Sequence, residues 1–240
     1  MSQYRQHESA ADKDPDVTWQ DTETPGEVAA ETAAPAMTQA DLIKADILEV
    51  ATAEFAEKGL SGARIDEIAE QIRTSKRMIY YHFGSKDGLY RAVLAHCYGR
   101  IRAIESTLDL GARPPMEALA HLVRFTFDYQ LANADFIRLV MVENIHRAEH
   151  IAQIPELHDL NQTAVQALKD LCARGAAEGV MRPDIDALDL HMSISALSFF
   201  NVSNQHTFSA IHEVDMTSPS AVAARRESIV ELILRSVRTR

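Results

Sequence analysis

The sequence predicts an all-α protein of about nine helices, in which an N-terminal three-helix helix-turn-helix domain precedes a C-terminal helical domain. Three observations predict this fold class. Apolar residues recur at helical spacing from residue 39 onward, β-branched alternation is absent, and Pro, Gly and Asn fall where the helical patterns end. The 240 residues, 46% of them hydrophobic and 25% charged, suffice for a sizeable core. Collagen-like, fully disordered and disulfide-scaffold classes are therefore excluded.

Residues 1–38 form a segment without helical or alternating apolar periodicity. The segment is rich in Ala, Thr, Glu, Asp and Pro, and it has two basic residues against eight acidic ones. This composition predicts a disordered acidic tail. Phosphate would repel such a tail, so we interpret it as a solvating segment, with a partner-binding role as the alternative.

Two amphipathic helices follow the tail. In the first, Leu48, Ala51 and Phe55 share one face, and Gly59 is the expected C-terminal signal. In the second, the apolar residues stand at i, i+3, i+4 and i+7, with acidic residues on the outer face and in the first turn. These apolar residues are Ile65, Ile68, Ala69 and Ile72.

A third helix is predicted to begin at Lys76, after the short break 73–75, with Ser75 as its N-cap. Two helices joined by so short a turn define a helix-turn-helix. Ile79 and Phe83 share the face that would pack inward. Residues 73–86 contain four basic residues and no acidic one, although the whole chain has a formal charge of −11.

Two interpretations fit the third helix. Its aromatic residues are ordinary core residues beside a solvated basic face, or the helix is a recognition helix for DNA. The tight turn, the flanking basic residues and Tyr hydroxyls, and the missing acidic side chains favour the recognition helix.

The same residues resemble the TetR/AcrR family of transcriptional regulators. The most specific run is Tyr-Tyr-His-Phe-Gly-Ser-Lys at residues 80–86, and the resemblance extends over about a quarter of the chain. The other matching positions are Ile47, Leu48, Ala51, Phe55, Gly59, Ile68, Ala69, the run 75–79, and Leu89.

The resemblance implies a set of DNA contacts. Lys86 takes the position that holds a phosphate, beside a helix N-terminus. We predict that Arg77 recognises a guanine through O6 and N7, whereas Met78 offers only apolar contact. The implied DNA-binding residues are Arg64, Thr74, Ser75, Lys76, Arg77, Tyr80, Tyr81, His82 and Lys86.

The chain departs from the family pattern at two positions. The family usually has Thr at the start of the second helix, where its hydroxyl caps the helix, and this chain has Arg64. Arg can replace a phosphate contact but not the cap. The family also favours Gly in the turn, where this chain has Arg73, so a positive φ there would be mildly strained.

The region 87–240 is predicted to be a helical ligand-binding and dimerisation domain. Its last helix has Ile229, Leu232, Ile233, Ser236 and Val237 at helical spacing, and we expect this stripe to need a partner surface, with packing on the chain's own core as the alternative. The family resemblance implies a C2 dimer that matches a palindromic operator. The predicted helical segments are 85–106, 115–132, 136–147, 155–179, 185–210 and 220–237.

The resemblance also implies an inducer inside the C-terminal domain. Aromatic and neutral polar residues on apolar helices predict a small organic inducer, aromatic or heterocyclic, although each residue alone is more often part of a core. The candidate lining residues are Phe127, Phe136, Asn144, His191, Ser195 and Phe199.

One motif supports a competing function. His146, Glu149 and His150 match H-x-x-E-H, the zinc signature of one class of metallopeptidase. A surface cluster is the favoured interpretation, because the motif lies at a charged helix end and no third ligand is evident. We therefore expect neither an enzyme nor a cofactor nor a metal site, with a zinc hydrolase or a regulatory metal at the two histidines as the alternatives.

The remaining features predict a cytoplasmic protein. Cys97 and Cys172 stand alone and are expected to be reduced, partly buried thiols. No apolar run is long enough to span a membrane. The sequence thus predicts a dimeric transcriptional regulator, most simply a repressor that a small molecule releases from its operator, with a ligand-free DNA-binding dimer as a further alternative.

Overall fold

The computed structural model describes residues 38–239, and these residues confirm the all-α prediction. Residues 1–37 of the predicted acidic tail lie outside the described residues, and Thr38 belongs to the start of the first helix. The described chain forms ten α-helices, together with two short 3₁₀ turns at Ser106–Leu108 and Ile151–Gln153. The helices are α1 Gln39–Gly62, α2 Ile65–Gln71, α3 Lys76–Phe83, α4 Lys86–Glu105, α5 Pro115–Ala132, α6 Ala134–Ile145, α7 Glu156–Ala177, α8 Ala187–Ser203, α9 Gln205–His212 and α10 Pro219–Val237.

Helix α1 has a defined start and a break near its end. Thr38 and Asp41 form a capping box, in which the Thr38 hydroxyl accepts from the Asp41 amide and the Asp41 carboxylate accepts from the Thr38 amide. At Gly59 the backbone leaves helical geometry with φ of 66°. The predicted C-terminal signal is therefore confirmed, and one further turn follows it.

The described chain has one helix more than the predicted nine or so, because the segment 185–210 contains two. Helix α8 ends at Ser203 and α9 begins at Gln205, with Asn204 at φ −108° and ψ 5° between them. The Asn204 side-chain amide donates to the Ser203 hydroxyl at 2.8 Å.

The prediction for α6 was also too long at its C-terminal end. The helix ends at Ile145, because Arg147 and Ala148 both adopt left-handed backbone conformations, with φ of 58° and 61°. Residues 146–150 consequently form a turn.

Two apolar clusters make up the core. The first joins α1–α3 to α4 and α6, and the Phe55 ring meets the Tyr90 ring edge-on with centroids 5.1 Å apart. The second lies between α5, α7, α8 and α10, with Phe127 and Ile229 fully buried in it. The helix-turn-helix thus shares its core with the helices that follow.

Helix α10 packs differently from the prediction. Ile229, Ile233 and Val237 are buried in the second cluster, so most of the predicted stripe needs no partner surface and that expectation is wrong. Leu232 alone of the large apolar residues in the stripe is exposed. The sequence could not show which neighbouring helix covers an amphipathic face.

Close backbone packing fixes the junction between α3 and α4. A Cβ atom at Gly88 would lie 2.1 Å from the carbonyl oxygen of Phe83, the last residue of α3. The Ser85 hydroxyl accepts from the Gly88 amide at 2.9 Å and so caps α4. Gly88 therefore permits the tight turn that sets the position of α3 on α4.

Both cysteines are free, as predicted, and they are more fully buried than expected. Burial raises the pKa of the Cys97 thiol to about 11, which keeps it protonated and weakly reactive at neutral pH. Among residues 38–239, no helix is both long enough and apolar enough to cross a membrane.

Candidate nucleic-acid interface and sensor cavities

The turn between α2 and α3 positions the candidate recognition helix. Ser75 is the N-cap of α3, as predicted, and its hydroxyl accepts from the Met78 amide at 3.2 Å. Arg73 adopts a φ of 53°, the left-handed conformation expected where the family favours Gly. The backbone therefore keeps the helix-turn-helix geometry despite the missing Gly.

Helix α3 has one buried and one exposed face. Ile79 is fully buried against α1, α2 and α4, whereas Tyr81 is 80% exposed. Arg77, Met78 and Tyr80 are also exposed. Within the described part of the chain, the Arg77 guanidinium forms no ion pair, so its donors are available to an external acceptor.

Lys76 is paired with an acidic residue of α2. Its ammonium lies 3.0 Å from the Asp66 carboxylate, and this hydrogen bond raises the pKa of Lys76. The sequence placed Asp66 on the outer face of α2 but did not show that α2 directs it toward α3. A DNA phosphate would have to compete with Asp66 for the Lys76 ammonium.

The other predicted DNA contacts lie around the same surface. The Lys86 ammonium donates to the carbonyl of Ser61 at 3.3 Å, so the lysine at the start of α4 reaches the end of α1. Arg64 is exposed, with its guanidinium 4.0 Å from Glu67. Thr74 and His82 are half-buried, and the His82 ring lies edge-on to Tyr81 at 5.2 Å.

Sequence reasoning missed Glu54, which supports the start of α2. Arg64 provides no side-chain cap there, as predicted. The buried Glu54 carboxylate instead accepts from the Arg64 amide at 3.0 Å and from the Lys58 ammonium at 3.0 Å. The only sequence signal for this role was the position of an acidic residue about one turn before Gly59, on the edge of an apolar face.

The six candidate ligand-lining residues do not converge on one cavity. Phe127 belongs to the second apolar cluster, and Asn144 is exposed, with its amide donating to the Val140 carbonyl. Phe136 is buried against Tyr98. His191, Ser195 and Phe199 are all half-buried on α8.

A mainly apolar pocket of about 310 Å³ lies between α4, α5 and α7. Leu110, Leu122 and Leu160 line it together with small residues, and none of the six candidates does. The polar part of the wall includes Ser106, Thr163 and an ion pair between Arg102 and Glu105, both mostly buried. Burial raises the pKa of Glu105, with Arg102 opposing the rise.

His191 is close enough to this ion pair for an electrostatic effect. Burial lowers the pKa of His191, and the positive charge of Arg102 lowers it further.

The H-x-x-E-H motif does not form a helical metal site. His146 and His150 lie in the turn after α6, so they do not share a helix face. The His150 imidazole Nδ1 lies 3.0 Å from the buried carboxylate of Glu143, which also accepts from the His150 and Ile151 amides. Within residues 38–239, no three His, Cys, Asp or Glu residues are grouped as a metal site.

The fold and the exposed face of α3 together define a helix-turn-helix DNA-binding protein. The family model described as bacterial regulatory proteins of the tetR family matches residues 47–93. The model of the tetracyclin repressor-like C-terminal domain matches residues 115–233. The chain belongs to the TetR family.

Named relatives of this chain are transcriptional repressors. The HTH-type transcriptional repressor NicS of Pseudomonas putida is 35% identical over 200 residues, which cover 83% of this chain and 94% of the relative. The HTH-type transcriptional repressor SCO4008 of Streptomyces coelicolor is 32% identical over 65% of this chain and 76% of its own length. This similarity supports a DNA-binding repressor rather than an enzyme.

Solved structures support the same fold. The transcriptional regulator SCO4942 of Streptomyces coelicolor aligns with a TM-score of 0.60 at 25% identity, over 81% of this chain and 97% of that chain. A tetR-family regulatory protein from Rhodococcus RHA1 aligns with a TM-score of 0.65 at 21% identity, over 85% of this chain and 100% of its own.

Replacing Glu54 tests its support of α2. We expect Glu54→Ala to lower the free energy of unfolding by about 2 kcal/mol, because the Arg64 amide loses its acceptor in a partly buried hydrogen bond. Glu54→Gln should lower the free energy of unfolding less, since its side-chain oxygen can still accept the hydrogen bond from the Arg64 amide. Glu57→Ala, at an exposed neighbouring position, is the control and should stay within about 0.5 kcal/mol of wild type in urea titrations. Equal effects of Glu54→Ala and Glu57→Ala would refute this role.

Proposed function

We propose that the protein is a homodimeric repressor that binds a palindromic operator through α3 and leaves it when a small organic molecule binds the C-terminal domain. The observation that carries the proposal is the exposed, basic and aromatic face of α3 opposite the buried Ile79. A ligand that binds more tightly to the conformer with displaced recognition helices would shift the population away from DNA.

Each proposed DNA contact has a role that its placement supports. Arg77 is exposed on the first turn of α3 and is free to form the bidentate contact with guanine. Lys76 and Lys86 would bind phosphates, and the Tyr80 and Tyr81 hydroxyls would add neutral phosphate contacts. Arg64, Thr74, Ser75 and His82 complete the proposed interface at its edges.

The proposed dimer surface lies on α8. Leu188, Met192, Ala196 and Phe200 recur at i+4 spacing, and all four are exposed. Leu232 on α10 adds a fifth exposed residue. An unpaired apolar stripe of this length is typical of an interface, and a C2 axis through it would present two α3 helices to a palindrome.

The proposed effector site is the pocket between α4, α5 and α7. Its leucine-rich wall suits a small organic molecule, and the Arg102–Glu105 pair supplies oriented polar groups. Helix α4 also begins at the edge of the helix-turn-helix, at Lys86. A change at the C-terminal end of α4 therefore has a direct path to α3.

Substitutions on α3 test the DNA interface. Lys76→Ala should weaken binding to all DNA sequences alike and reduce the slope of log affinity against log salt by about 1. Arg77→Ala should cost about 1–3 kcal/mol on the operator and relax discrimination at one base pair. Fluorescence anisotropy on DNA from upstream of the gene measures both.

Two further variants serve as controls for these substitutions. Arg235→Ala removes an exposed arginine of α10 and should change neither quantity. Asp66→Asn releases the Lys76 ammonium and should tighten DNA binding. If Lys76→Ala and Arg77→Ala both bind DNA like wild type, α3 is not the interface.

Filling the effector pocket tests ligand control. Ala164 lines the pocket on α7, and Ala173 is exposed on the same helix outside it. We expect Ala164→Phe to bind operator DNA but to remain bound in the presence of a metabolite that releases wild type. Ala173→Phe should be released normally. If the metabolite released Ala164→Phe from DNA at the same concentration as wild type, the effector would bind elsewhere. If no metabolite released the wild-type protein, the ligand-free DNA-binding dimer would be favoured.

A further inference from the structure

Helices α5 and α8 pack against each other and both run from the second apolar cluster to the first. In α5, Val123 belongs to the second cluster and Tyr129 to the first. In α8, Ile194 belongs to the second cluster, and Val202 packs against the first. The C-terminal ends of the two helices therefore lie together, at the boundary between the clusters.

The buried faces of both helices become polar at this boundary. The polar residues are Thr126 and Gln130 on α5 and Ser198 and Asn201 on α8, and none of the four is more than 8% exposed. The buried residues of α5 and α8 include no charged side chain. We call these four residues the polar layer, because they separate the two apolar clusters along the α5–α8 contact.

Three atoms of the polar layer lack hydrogen-bond partners. The Thr126 hydroxyl is satisfied, because it donates to the Leu122 carbonyl at 2.9 Å. Gln130 Oε1, Ser198 Oγ and Asn201 Nδ2 are buried and have no partner in the part of the chain that the structure describes. Buried polar atoms are normally hydrogen-bonded, and leaving them unpaired destabilises the fold. Three such atoms in one layer therefore indicate a molecule that supplies the missing partners.

The missing partners define the chemistry of that molecule. The Gln130 amide oxygen needs a donor, the Asn201 amide nitrogen needs an acceptor, and the Ser198 hydroxyl can serve as either. A charged group would be unfavourable in the layer, because the buried faces of α5 and α8 offer it no opposite charge. Glu143, the buried carboxylate of the neighbouring α6, is already bound by His150. An uncharged group with adjacent donor and acceptor, such as an amide, fits the layer.

The polar layer lies on the side of α5 that also reaches the proposed effector pocket. Leu122 lines that pocket, and Thr126 and Gln130 follow it at i+4 and i+8. Gln130 is therefore about 12 Å further along the helix axis. The three unpaired atoms are closed off from the pocket in this structure, so a ligand reaches them only when α8 moves away from α5.

We propose that the polar layer binds the uncharged, hydrogen-bonding end of the effector, whose apolar body occupies the pocket between α4, α5 and α7. This assignment rests on the proposed effector site. The Asn201 amide and the Ser198 hydroxyl donate to a carbonyl oxygen of the ligand, and Gln130 accepts from its N–H group. Because these bonds form only after α8 has moved, the ligand favours the conformer in which the proposed dimer surface on α8 is displaced.

Binding of octanamide and octanoate to the full-length protein, measured by isothermal titration calorimetry, tests the polar layer. The two compounds share an apolar chain and differ in whether the polar end is an uncharged amide or an ionised carboxylate. We expect the wild type to bind octanamide more tightly. Gln130→Met and Asn201→Leu should each raise its Kd about tenfold, because one buried hydrogen bond is lost. Neither variant should lower the free energy of unfolding in urea, since each removes an unpaired buried atom.

Gln166→Met is the matched control, because Gln166 is exposed on α7 outside the pocket. It should change neither Kd. If the wild type did not prefer octanamide, the proposal would be overturned. A lower free energy of unfolding in both Gln130→Met and Asn201→Leu would also overturn it, because ordered water would then already satisfy these atoms.

Ala164→Phe, which fills the pocket, separates this inference from the effector site itself. If Ala164→Phe bound both compounds weakly while Gln130→Met and Asn201→Leu bound octanamide like wild type, the pocket would stand and the polar layer would be overturned. If Gln130→Met and Asn201→Leu lost octanamide binding while Ala164→Phe retained it, the polar layer would stand as a binding site and the effector pocket would be wrong.

Discussion

The burial of Phe55 against Tyr90 is the contact on which the rest of the structure depends. The two rings join α1 of the helix-turn-helix to α4, within a cluster that also includes Ile79 of α3 and Ile137 of α6. Truncating such a buried aromatic side chain to alanine lowers the free energy of unfolding by about 3–5 kcal/mol. The DNA-binding helices therefore have no separate core, and their orientation is set by the same packing that stabilises the first helices of the C-terminal domain.

We propose that charge restricts DNA binding to one surface of this acidic protein. The chain has a formal charge of −11, but the segment around α3 is neutral to basic. Within this segment, the Lys76 ammonium is paired with the Asp66 carboxylate. In the proposed interface, this pairing weakens general attraction to phosphate while leaving Arg77 exposed for base recognition. Affinity in such an arrangement depends more on the operator sequence and less on the DNA backbone.

Much of the fold could be predicted from the sequence, because helical periodicity and capping are local properties. Ser75, Gly59 and the apolar face of α2 all lie where local rules placed them. The break at Asn204 was missed because apolar residues continue on both sides of it. Likewise, the stripe on α10 and that on α8 look alike in sequence, and only tertiary packing decides that Ile233 is buried and Met192 exposed.

The functional surfaces were predictable to different degrees. The face of α3 follows from helix geometry and from one specific run of residues, so its exposure could be predicted. The roles of Glu54 and Asp66 could not be predicted, because each contacts a residue ten positions further along the chain, across a turn. The proposed effector pocket could be predicted least, because it is formed by residues from at least three helices that are distant in sequence.

Native-state hydrogen exchange of the full-length protein tests most directly whether the helices of the helix-turn-helix and of the C-terminal domain share one core. The amides to compare are those of α1 around Phe55 and those of α4 around Tyr90. The shared cluster predicts that both sets reach the same opening free energy as denaturant is added, because they unfold together. A helix-turn-helix whose amides open at a distinctly lower free energy than those of α4 and α6 would contradict the account.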